Sequence, residues 1–244
     1  MREGCWAAVG LRFFVIDIDG TLTDEGGALD LEAVKTIRML RALGYEVLLA
    51  SARSAWEAWT IAKAVQASPI VIAENGGVLA FSPKELLLLG DRALALRGLE
   101  VLEKEGLGPR VKETVPPLTC VILEPSLPSE RARGALERSG LDVQLVETGF
   151  SVLLTKKGVD KARALGVLAS MRPSFGPQGG VAVGDGDNDV PLFTLCGYSI
   201  AVANASPSAK RAAKYVAGHK YGAGLHEGVE ALLRQGLLAP PAKG

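Results

Sequence analysis

A strand that runs into two closely spaced carboxylates constrains this chain more than any other segment. Residues 13–24 read Phe-Phe-Val-Ile-Asp-Ile-Asp-Gly-Thr-Leu-Thr-Asp, which begins with the apolar run of a buried strand. Side chains alternate between the faces of a strand, so Asp17 and Asp19 should lie on the same side. Gly20 allows the chain to leave the strand sharply, which keeps the space beside both acids open. An acidic strand end that caps a helix is the alternative, since an Asp-x-Asp pair alone is weakly specific.

A second apolar strand that ends in acids lies far along the chain, at residues 179–190. Its sequence, Gly-Gly-Val-Ala-Val-Gly-Asp-Gly-Asp-Asn-Asp-Val, places Asp185 and Asp189 directly after the strand. The carboxyl ends of parallel strands meet at one edge of a sheet, so we expect these acids to converge with Asp17 and Asp19. Repulsion among the carboxylates favours a bound divalent cation, and oxygen ligands without His or Cys favour Mg²⁺ over zinc.

The Asp-x-Asp-x-Asp spacing of residues 185–189 also opens the calcium loop of EF-hand proteins. The rest of such a loop does not match, because its sixth position would be Val190, where the turn needs glycine. Its twelfth position would be Cys196, where a bidentate glutamate is needed. The sequence therefore predicts a strand-end site and not a calcium loop.

The composition predicts a cytoplasmic globular protein that binds neither nucleic acid nor membranes. The 244 residues are 48% apolar and carry 27 basic and 27 acidic side chains, so no net basic field would attract nucleic acid. No polybasic run would attract a membrane surface. The scattered cysteines, Cys5, Cys120 and Cys196, fit reduced and mostly buried thiols better than a disulfide framework. The oligomeric state is left open between monomer and homodimer.

Strand and helix patterns alternate at both ends of the chain and change in the middle. Apolar residues at helical spacing within residues 29–43, followed by Gly44, predict a helix, and residues 47–50 predict the next buried strand. This alternation predicts an α/β fold with a doubly wound, Rossmann-like parallel sheet formed by residues 1–80 and 156–244. Residues 81–155 have the pattern of a smaller α+β unit inserted between the two parts.

Two further residues are candidates for binding an anion. Ser51 follows a predicted strand, where a hydroxyl and the N–H groups of a helix start can bind phosphate; a helix cap is the alternative. Lys161 falls in the first turn of a predicted helix, where a cation opposes the helix dipole, so a functional role is favoured. Asn204 is interpreted as a cap for the helix after Pro207. Whether Arg53 or Asn204 contacts phosphate is left open.

Four motifs, in the order in which they occur along the chain, resemble those of the haloacid dehalogenase superfamily of phosphotransferases. The matching residues are Asp-Ile-Asp-Gly-Thr-Leu from Asp17, then Ser51, then Lys161, then Gly-Asp-Gly-Asp-Asn-Asp from Gly184. The resemblance covers the whole chain and implies a catalytic core with an inserted α+β cap, as in the Cof-type branch. The short cap and the Gly-Val-Asp-Lys context are most similar to the archaeal phosphoglycolate phosphatases. One departure is Ala52, where many Cof-type relatives carry glycine.

The resemblance implies a Mg²⁺-dependent phosphatase for a small phosphorylated metabolite, with 2-phosphoglycolate as the expected substrate. Asp17 would attack phosphorus and become an aspartyl phosphate, while Asp19 would protonate the leaving group and then activate water. Ser51 and Lys161 would neutralise charge on the phosphoryl oxygens. The implied ligands of Mg²⁺ are Asp17, the main-chain carbonyl of Asp19, Asp185 and Asp189.

The leaving group of such a substrate would contact the inserted unit. A short carboxylated substrate would need a cation there, and the geometry that selects one is not readable from the sequence. The basic residues that could supply it are Arg92, Arg97, Lys104, Arg110, Lys112, Arg131 and Arg133.

Other functions use similar residues. A phosphosugar phosphatase differs in the leaving group, and a phosphomutase of the same superfamily would pass the phosphoryl group to a sugar hydroxyl. A receiver-like signalling module also combines an Asp acceptor, Mg²⁺, a hydroxyl and a lysine. Asp19 argues against the receiver, because a second acid promotes turnover whereas a signalling acceptor keeps its phosphate. A receiver also needs no inserted cap.

Overall fold

The computed structural model describes residues 10–113 and 115–238. Within them the chain forms eleven strands and eight helices. The strands are β1 (Phe13–Ile16), β2 (Glu46–Ala50), β3 (Val71–Ala73), β4 (Val78–Ser82), β5 (Glu85–Leu88), β6 (Val121–Leu123), β7 (Val143–Glu147), β8 (Val152–Lys156), β9 (Gly180–Gly184), β10 (Tyr198–Ala201) and β11 (Tyr215–Val216). The helices are α1 (Leu31–Ala42), α2 (Ala55–Val65), α3 (Arg92–Lys104), α4 (Ser129–Ser139), α5 (Lys161–Met171), α6 (Val190–Leu195), α7 (Pro207–Ala212) and α8 (Tyr221–Arg234).

The larger sheet has eight strands in the order β11-β10-β9-β1-β2-β3-β4-β5. Strand β1 pairs in parallel with both β2 and β9, so Ile16 is level with Leu49 on one side and with Val183 on the other. All pairings from β11 to β3 are parallel, which confirms the predicted α/β fold with a doubly wound parallel sheet. This register brings the carboxyl ends of β1, β2 and β9 together at one edge.

Apolar side chains cover both faces of the larger sheet. Phe14 and Ile16 of β1 pack in a layer with α1, α2 and α8. Phe13 and Val15 point to the opposite face and pack in a layer with α5, α6 and α7. All four side chains are buried, because a parallel sheet covered on both faces needs apolar residues at successive positions.

A second, smaller sheet is formed by residues between β5 and α5. Its strand order is β6-β8-β7 with antiparallel pairing, and buried residues of α3 and α4 cover it. The insert was expected to start at residue 81, but β4 and β5 form an antiparallel hairpin that extends the larger sheet to Leu88. The apolar pattern of this hairpin is the same whichever sheet it joins. We therefore propose that the inserted unit comprises residues 89–156.

The inserted unit is joined to the larger sheet around one buried acid, Glu74. Its side chain is 0% exposed and accepts hydrogen bonds from Leu118 N (2.8 Å), Thr119 N (2.7 Å) and Thr119 Oγ1 (2.6 Å). Glu74 and Asn75 have φ angles of 53° and 54°, which non-glycine residues adopt uncommonly. A side chain at Gly77 would collide with the Thr119 hydroxyl. The junction is therefore tightly packed.

The cysteines of the described residues are free thiols. Cys120 and Cys196 are buried, as predicted, and Cys5 lies outside the described residues. Burial raises the pKa of Cys120 well above its usual value and that of Cys196 to about 12, so both thiols are protonated at neutral pH. None of the helices within residues 10–113 and 115–238 combines the length and the apolar character needed to cross a membrane.

Candidate active site

Three carboxylates come together where β1 and β9 end. Asp17 follows β1 and donates its backbone N–H to Val183 O (2.9 Å), which aligns the two strand ends. Asp17, Asp185 and Asp189 each offer a carboxylate oxygen, and these atoms lie within 4.8 Å of one another. Oxygen-only ligands of this kind suit a hard cation such as Mg²⁺. The structure thus brings together three of the four acids predicted to converge.

The loop after β9 fixes the position of Asp189. Its Oδ2 accepts hydrogen bonds from the backbone N–H groups of Asp185 (3.1 Å) and Gly186 (3.0 Å). The loop turns tightly over Gly184, where a side chain would collide with the Asp189 carboxylate. Asp189 is therefore tied to its own loop through one oxygen, and only Oδ1 faces its neighbours in the cluster.

Lys161 supplies the positive charge of this cluster. It is the first residue of α5, whose N-cap is Asp160, and its side chain is 0% exposed. Its Nζ donates to Asp17 Oδ1 (2.5 Å) and to Asp189 Oδ1 (2.6 Å). Burial alone would lower the pKa of Lys161, but the two carboxylates outweigh burial and raise that pKa above its usual value. The lysine is therefore a buried, charged ammonium.

One lysine does not balance the surrounding acids. Burial raises the pKa of Asp17 well above its usual range, and the neighbouring carboxylates add to this effect while Lys161 opposes it. Burial and the charge of Asp189 raise the pKa of Asp185 to about 7, although Lys161 and a hydrogen bond from Thr21 act in the opposite direction. Excess negative charge of this kind is what a divalent cation would neutralise.

The side chain of Asp19 lies outside the three-carboxylate cluster and pairs with Arg53. Nε of Arg53 donates to both Asp19 oxygens (3.0 Å each), and Nη2 donates to Oδ1 (2.6 Å). The hydrogen bonds that Arg53 donates to Asp19 raise the pKa of Arg53, although partial burial opposes the change. Both residues line the same cavity as Asp17. The expected metal contact of Asp19 uses its main-chain carbonyl, so this ion pair leaves that expectation in place.

Ser51 is buried at the end of β2 and does not cap a helix. Its Oγ accepts a hydrogen bond from Arg53 N (3.1 Å). The cap of α2 is Ser54, which accepts from Glu57 N (3.4 Å) while the Glu57 carboxylate accepts from Ser54 N (3.2 Å). This reciprocal pair satisfies the helix start, so the helix-cap interpretation of Ser51 is wrong. Its hydroxyl lies instead at the carboxyl end of β2, next to β1, the strand that leads into Asp17.

Asn204 was assigned to the wrong place by sequence reasoning. Ser206 caps α7, whereas Asn204 Nδ2 donates to Gly20 O (2.7 Å) and Asn204 Oδ1 accepts from Tyr221 N (3.0 Å). Thr21 lies beside the acids, as its position after Asp19 suggests, and its Oγ1 donates to Asp185 Oδ1 (3.2 Å), a partner that the sequence did not identify. For Asn204, the position shortly after a strand end is the signal that could have placed it at the site.

A cavity of about 320 Å³ lies over these residues, between the larger sheet and the inserted unit. The side formed by the larger sheet is mainly acidic, with Arg53 as its one cation among the described residues. The inserted unit contributes aliphatic and aromatic side chains, two hydroxyls and one lysine. The lining includes Asp17, Asp19, Arg53, Glu57, Asp185 and Asn188 from the first side, and Lys112, Val115, Ile122, Thr148, Phe150 and Ser151 from the second.

Comparison with known proteins identifies the family of this chain. A family model described as haloacid dehalogenase-like hydrolase matches residues 14–91 and 114–228. The phosphoglycolate phosphatase of Archaeoglobus fulgidus is 35% identical over 232 residues, which cover 93% of this chain and 98% of that protein. The phosphoglycolate phosphatase of Methanothermobacter thermautotrophicus is 33% identical over 226 residues, which cover 90% of this chain and 97% of that protein.

A solved structure shows the same fold. The crystal structure of a Thermoplasma acidophilum protein matches with a TM-score of 0.81 and 24% identity, covering 93% of this chain and 99% of that chain. At this level of identity the match shows a shared fold and nothing about function. The family model spans both parts of the larger sheet, and the two archaeal relatives exceed 30% identity over at least 90% of the chain. The chain therefore belongs to the haloacid dehalogenase-like hydrolase family, as its motifs predicted.

Proposed function

We propose that this protein is a cytoplasmic, Mg²⁺-dependent phosphatase that hydrolyses 2-phosphoglycolate or a closely related small phosphate ester. The observation that carries the proposal is the buried cluster in which Lys161 Nζ contacts Asp17 Oδ1 at 2.5 Å, beside the carboxylates of Asp185 and Asp189. The phosphoglycolate phosphatases at 33% and 35% identity support the choice of substrate.

In this proposal Asp17 is the nucleophile. Lys161 and the alignment of β1 with β9 fix its carboxylate at the floor of the cavity. Attack on phosphorus forms an aspartyl phosphate and releases the alcohol, which divides one difficult displacement into two easier steps. Mg²⁺, bound by Asp17, Asp185 and the main-chain carbonyl of Asp19, with Asp189 beside them, would neutralise negative charge on the phosphoryl oxygens.

In the same proposal Asp19 moves the protons of both steps. It would protonate the departing alkoxide and then remove a proton from the water that hydrolyses the aspartyl phosphate. Arg53 donates three hydrogen bonds to the oxygens of Asp19, and these bonds orient the side chain that would accept the proton of water in the second step. For the first step Asp19 must carry a proton, which requires the contact with Arg53 to loosen when substrate binds.

Phosphate release tests this proposal directly. Wild-type protein is assayed with 2-phosphoglycolate and a panel of phosphorylated sugars, with Mg²⁺ or with EDTA. Asp17→Asn should abolish release, because an amide is a poor nucleophile. Asp142→Asn makes the same change at an exposed position of the inserted unit and should leave the rate unchanged.

Each outcome of this assay selects one function. Metal-dependent release from 2-phosphoglycolate that vanishes in Asp17→Asn would support the proposal, while faster release from a sugar phosphate would indicate a phosphosugar phosphatase. Transfer of the phosphoryl group to a second sugar hydroxyl would indicate a phosphomutase. A stable phosphoprotein without turnover would indicate a receiver-like module and refute the proposal.

A further inference from the structure

The inserted unit provides one wall of the cavity, and that wall contains a single cation among the described residues. Of the seven basic residues of the insert named above, the cavity lining includes Lys112 alone. We propose that Lys112 is the specificity-determining residue that selects substrates with a carboxylate in the leaving group. The inference rests on the proposed phosphatase function and extends it by naming the chemical class of substrate and the residue that recognises it.

The backbone around Lys112 is fixed by the smaller sheet. Lys112 N donates to Ile122 O (2.8 Å), Glu124 N donates to Arg110 O (2.8 Å), and Val111 forms an antiparallel bridge with Leu123. Residues 110–112 therefore run alongside β6 as a short extra strand. This pairing places the side chain of Lys112 at a defined position on the cavity wall.

The ammonium group of Lys112 has no acidic partner in the described part of the chain. Its Nζ donates to the main-chain oxygen of Phe150 (3.0 Å), and no described carboxylate lies within the 4.0 Å of an ion pair. Arg53, the other cation of the lining, differs because Asp19 already accepts three of its hydrogen bonds. Lys112 is thus the cation whose charge is available to a ligand.

Four arginines of the insert have acidic partners of their own. Arg92 pairs with Glu113 (2.9 Å), Arg133 with Glu147 (3.3 Å), Arg138 with Glu105 (2.9 Å) and Arg110 with Glu124 (3.8 Å). None of these arginines lines the cavity. They maintain the surface of the inserted unit and leave recognition to Lys112.

The charge distribution in the cavity explains why a carboxylated leaving group needs this lysine. With the phosphoryl group at Asp17, the rest of the substrate extends towards the insert. The sheet side of the cavity presents Asp19, Glu25 and Glu57, which repel a second anionic group. Lys112 offers the opposite charge on the facing wall, so the carboxylate of a substrate such as 2-phosphoglycolate has one favourable place to bind.

A purely structural role for Lys112 predicts other kinetics than the recognition of a substrate carboxylate does. The bond to Phe150 O joins residue 112 to the loop that connects β7 and β8, where Thr148 N donates to Ser151 O (3.0 Å). If Lys112 served only to fix this loop, its loss would affect all substrates alike. If it binds a carboxylate, its loss affects carboxylated substrates alone.

The test compares 2-phosphoglycolate with 2-hydroxyethyl phosphate, in which a hydroxymethyl group replaces the carboxylate. Lys112→Gln keeps a donor for Phe150 O but removes the charge. We expect it to lower kcat/KM for 2-phosphoglycolate by about 10- to 100-fold, mainly through KM, as for loss of a hydrogen bond to a charged group. Its kcat/KM for 2-hydroxyethyl phosphate should be unchanged, and Lys112→Arg should retain most of the preference. Lys104→Gln, an exposed lysine outside the cavity, is the matched control and should behave as wild type.

Three results would overturn the inference. An equal loss on both substrates in Lys112→Gln would show that the lysine only fixes the loop, and an unchanged preference would show that it has no role. A wild-type enzyme that hydrolyses phosphate esters but does not prefer the carboxylated one would refute the inference while leaving the phosphatase intact. Absence of release from every ester would instead refute the proposed function itself.

Discussion

Replacing Lys161 with methionine tests whether one ammonium stabilises the buried acids. Methionine is apolar and unbranched, so it cannot donate a hydrogen bond to either acid. Asp17 and Asp189 would then face each other without Lys161 Nζ, which lies 2.5 Å from an oxygen of Asp17 and 2.6 Å from an oxygen of Asp189. Removing one partner of a buried ion pair costs about 3–5 kcal/mol of folding free energy. Because Lys161 is 0% exposed and both contacts are lost at once, we expect the upper half of that range.

The loss should also depend on pH. Without the lysine, nothing opposes the effect of burial on Asp17, so the pKa of Asp17 rises further and the folded protein binds a proton that the unfolded chain does not. Stability then falls as pH rises, and the gap between variant and wild type should be wider at about pH 8 than at about pH 5.5. The gap narrows at the lower pH because a protonated Asp17 carries no charge to repel Asp189.

Urea unfolding of the metal-free protein measures both effects. Lys157→Met, at an exposed lysine four positions earlier, is the control and should change the free energy of unfolding by less than about 0.5 kcal/mol. If Lys161→Met does not fold, the double variant Lys161→Met/Asp189→Asn should regain stability, since one of the two facing acids is gone. A loss below about 1 kcal/mol, an equal loss at both pH values, or a double variant that remains unfolded would refute the reasoning.

Other parts of the structure make separate predictions. Glu74→Gln should lower the free energy of unfolding in urea by about 1–3 kcal/mol, because it disrupts an acceptor of three buried hydrogen bonds; exposed Glu100→Gln should have almost no effect. Gly20→Ala should weaken Mg²⁺ binding in calorimetry, because φ is +82° and the added Cβ would collide with the Asp185 carboxylate; unchanged affinity would contradict this. The raised pKa of Asp185, from 3.8 to about 7, means that the metal-free protein should lose stability as pH rises between these values. Asp185→Asn should reduce that slope in pH-dependent unfolding, and equal slopes would show that another group causes it.

Local sequence patterns predicted most of the larger sheet and its helices. The helix expected within residues 29–43 is observed as α1, Leu31–Ala42, because Asp30 caps its start and the apolar residues follow helical spacing. The insert was expected to begin at residue 81, which put β5 outside the larger sheet. The position of β5 depends on its pairing with β4, for example of Leu87 with Leu79, and no local pattern encodes how far such a sheet continues.

At the candidate site, too, local patterns could be predicted from the sequence, whereas contacts between distant side chains could not. Sequence reasoning could place Asp17 beside Asp185, because the ends of adjacent parallel strands must meet, and could single out Lys161 by its unfavourable position near a helix dipole. It could not predict that Arg53 would pair with Asp19, since that contact depends on the side-chain conformations of residues in the loops after two different strands. The chemical roles of these residues remain predictions for the assays above.

The buried acid at the junction affects which molecules can reach the site. Swinging the inserted unit away from the sheet at this point would cost the hydrogen bonds that Leu118 and Thr119 donate to Glu74, whose side chain is fully buried. These bonds favour entry of substrates through the existing mouth of the cavity. Its volume of about 320 Å³ suits a metabolite and is too small for a folded polypeptide. A phosphorylated protein would therefore have to present its phosphate on a protruding segment, whereas a free metabolite fits into the cavity whole.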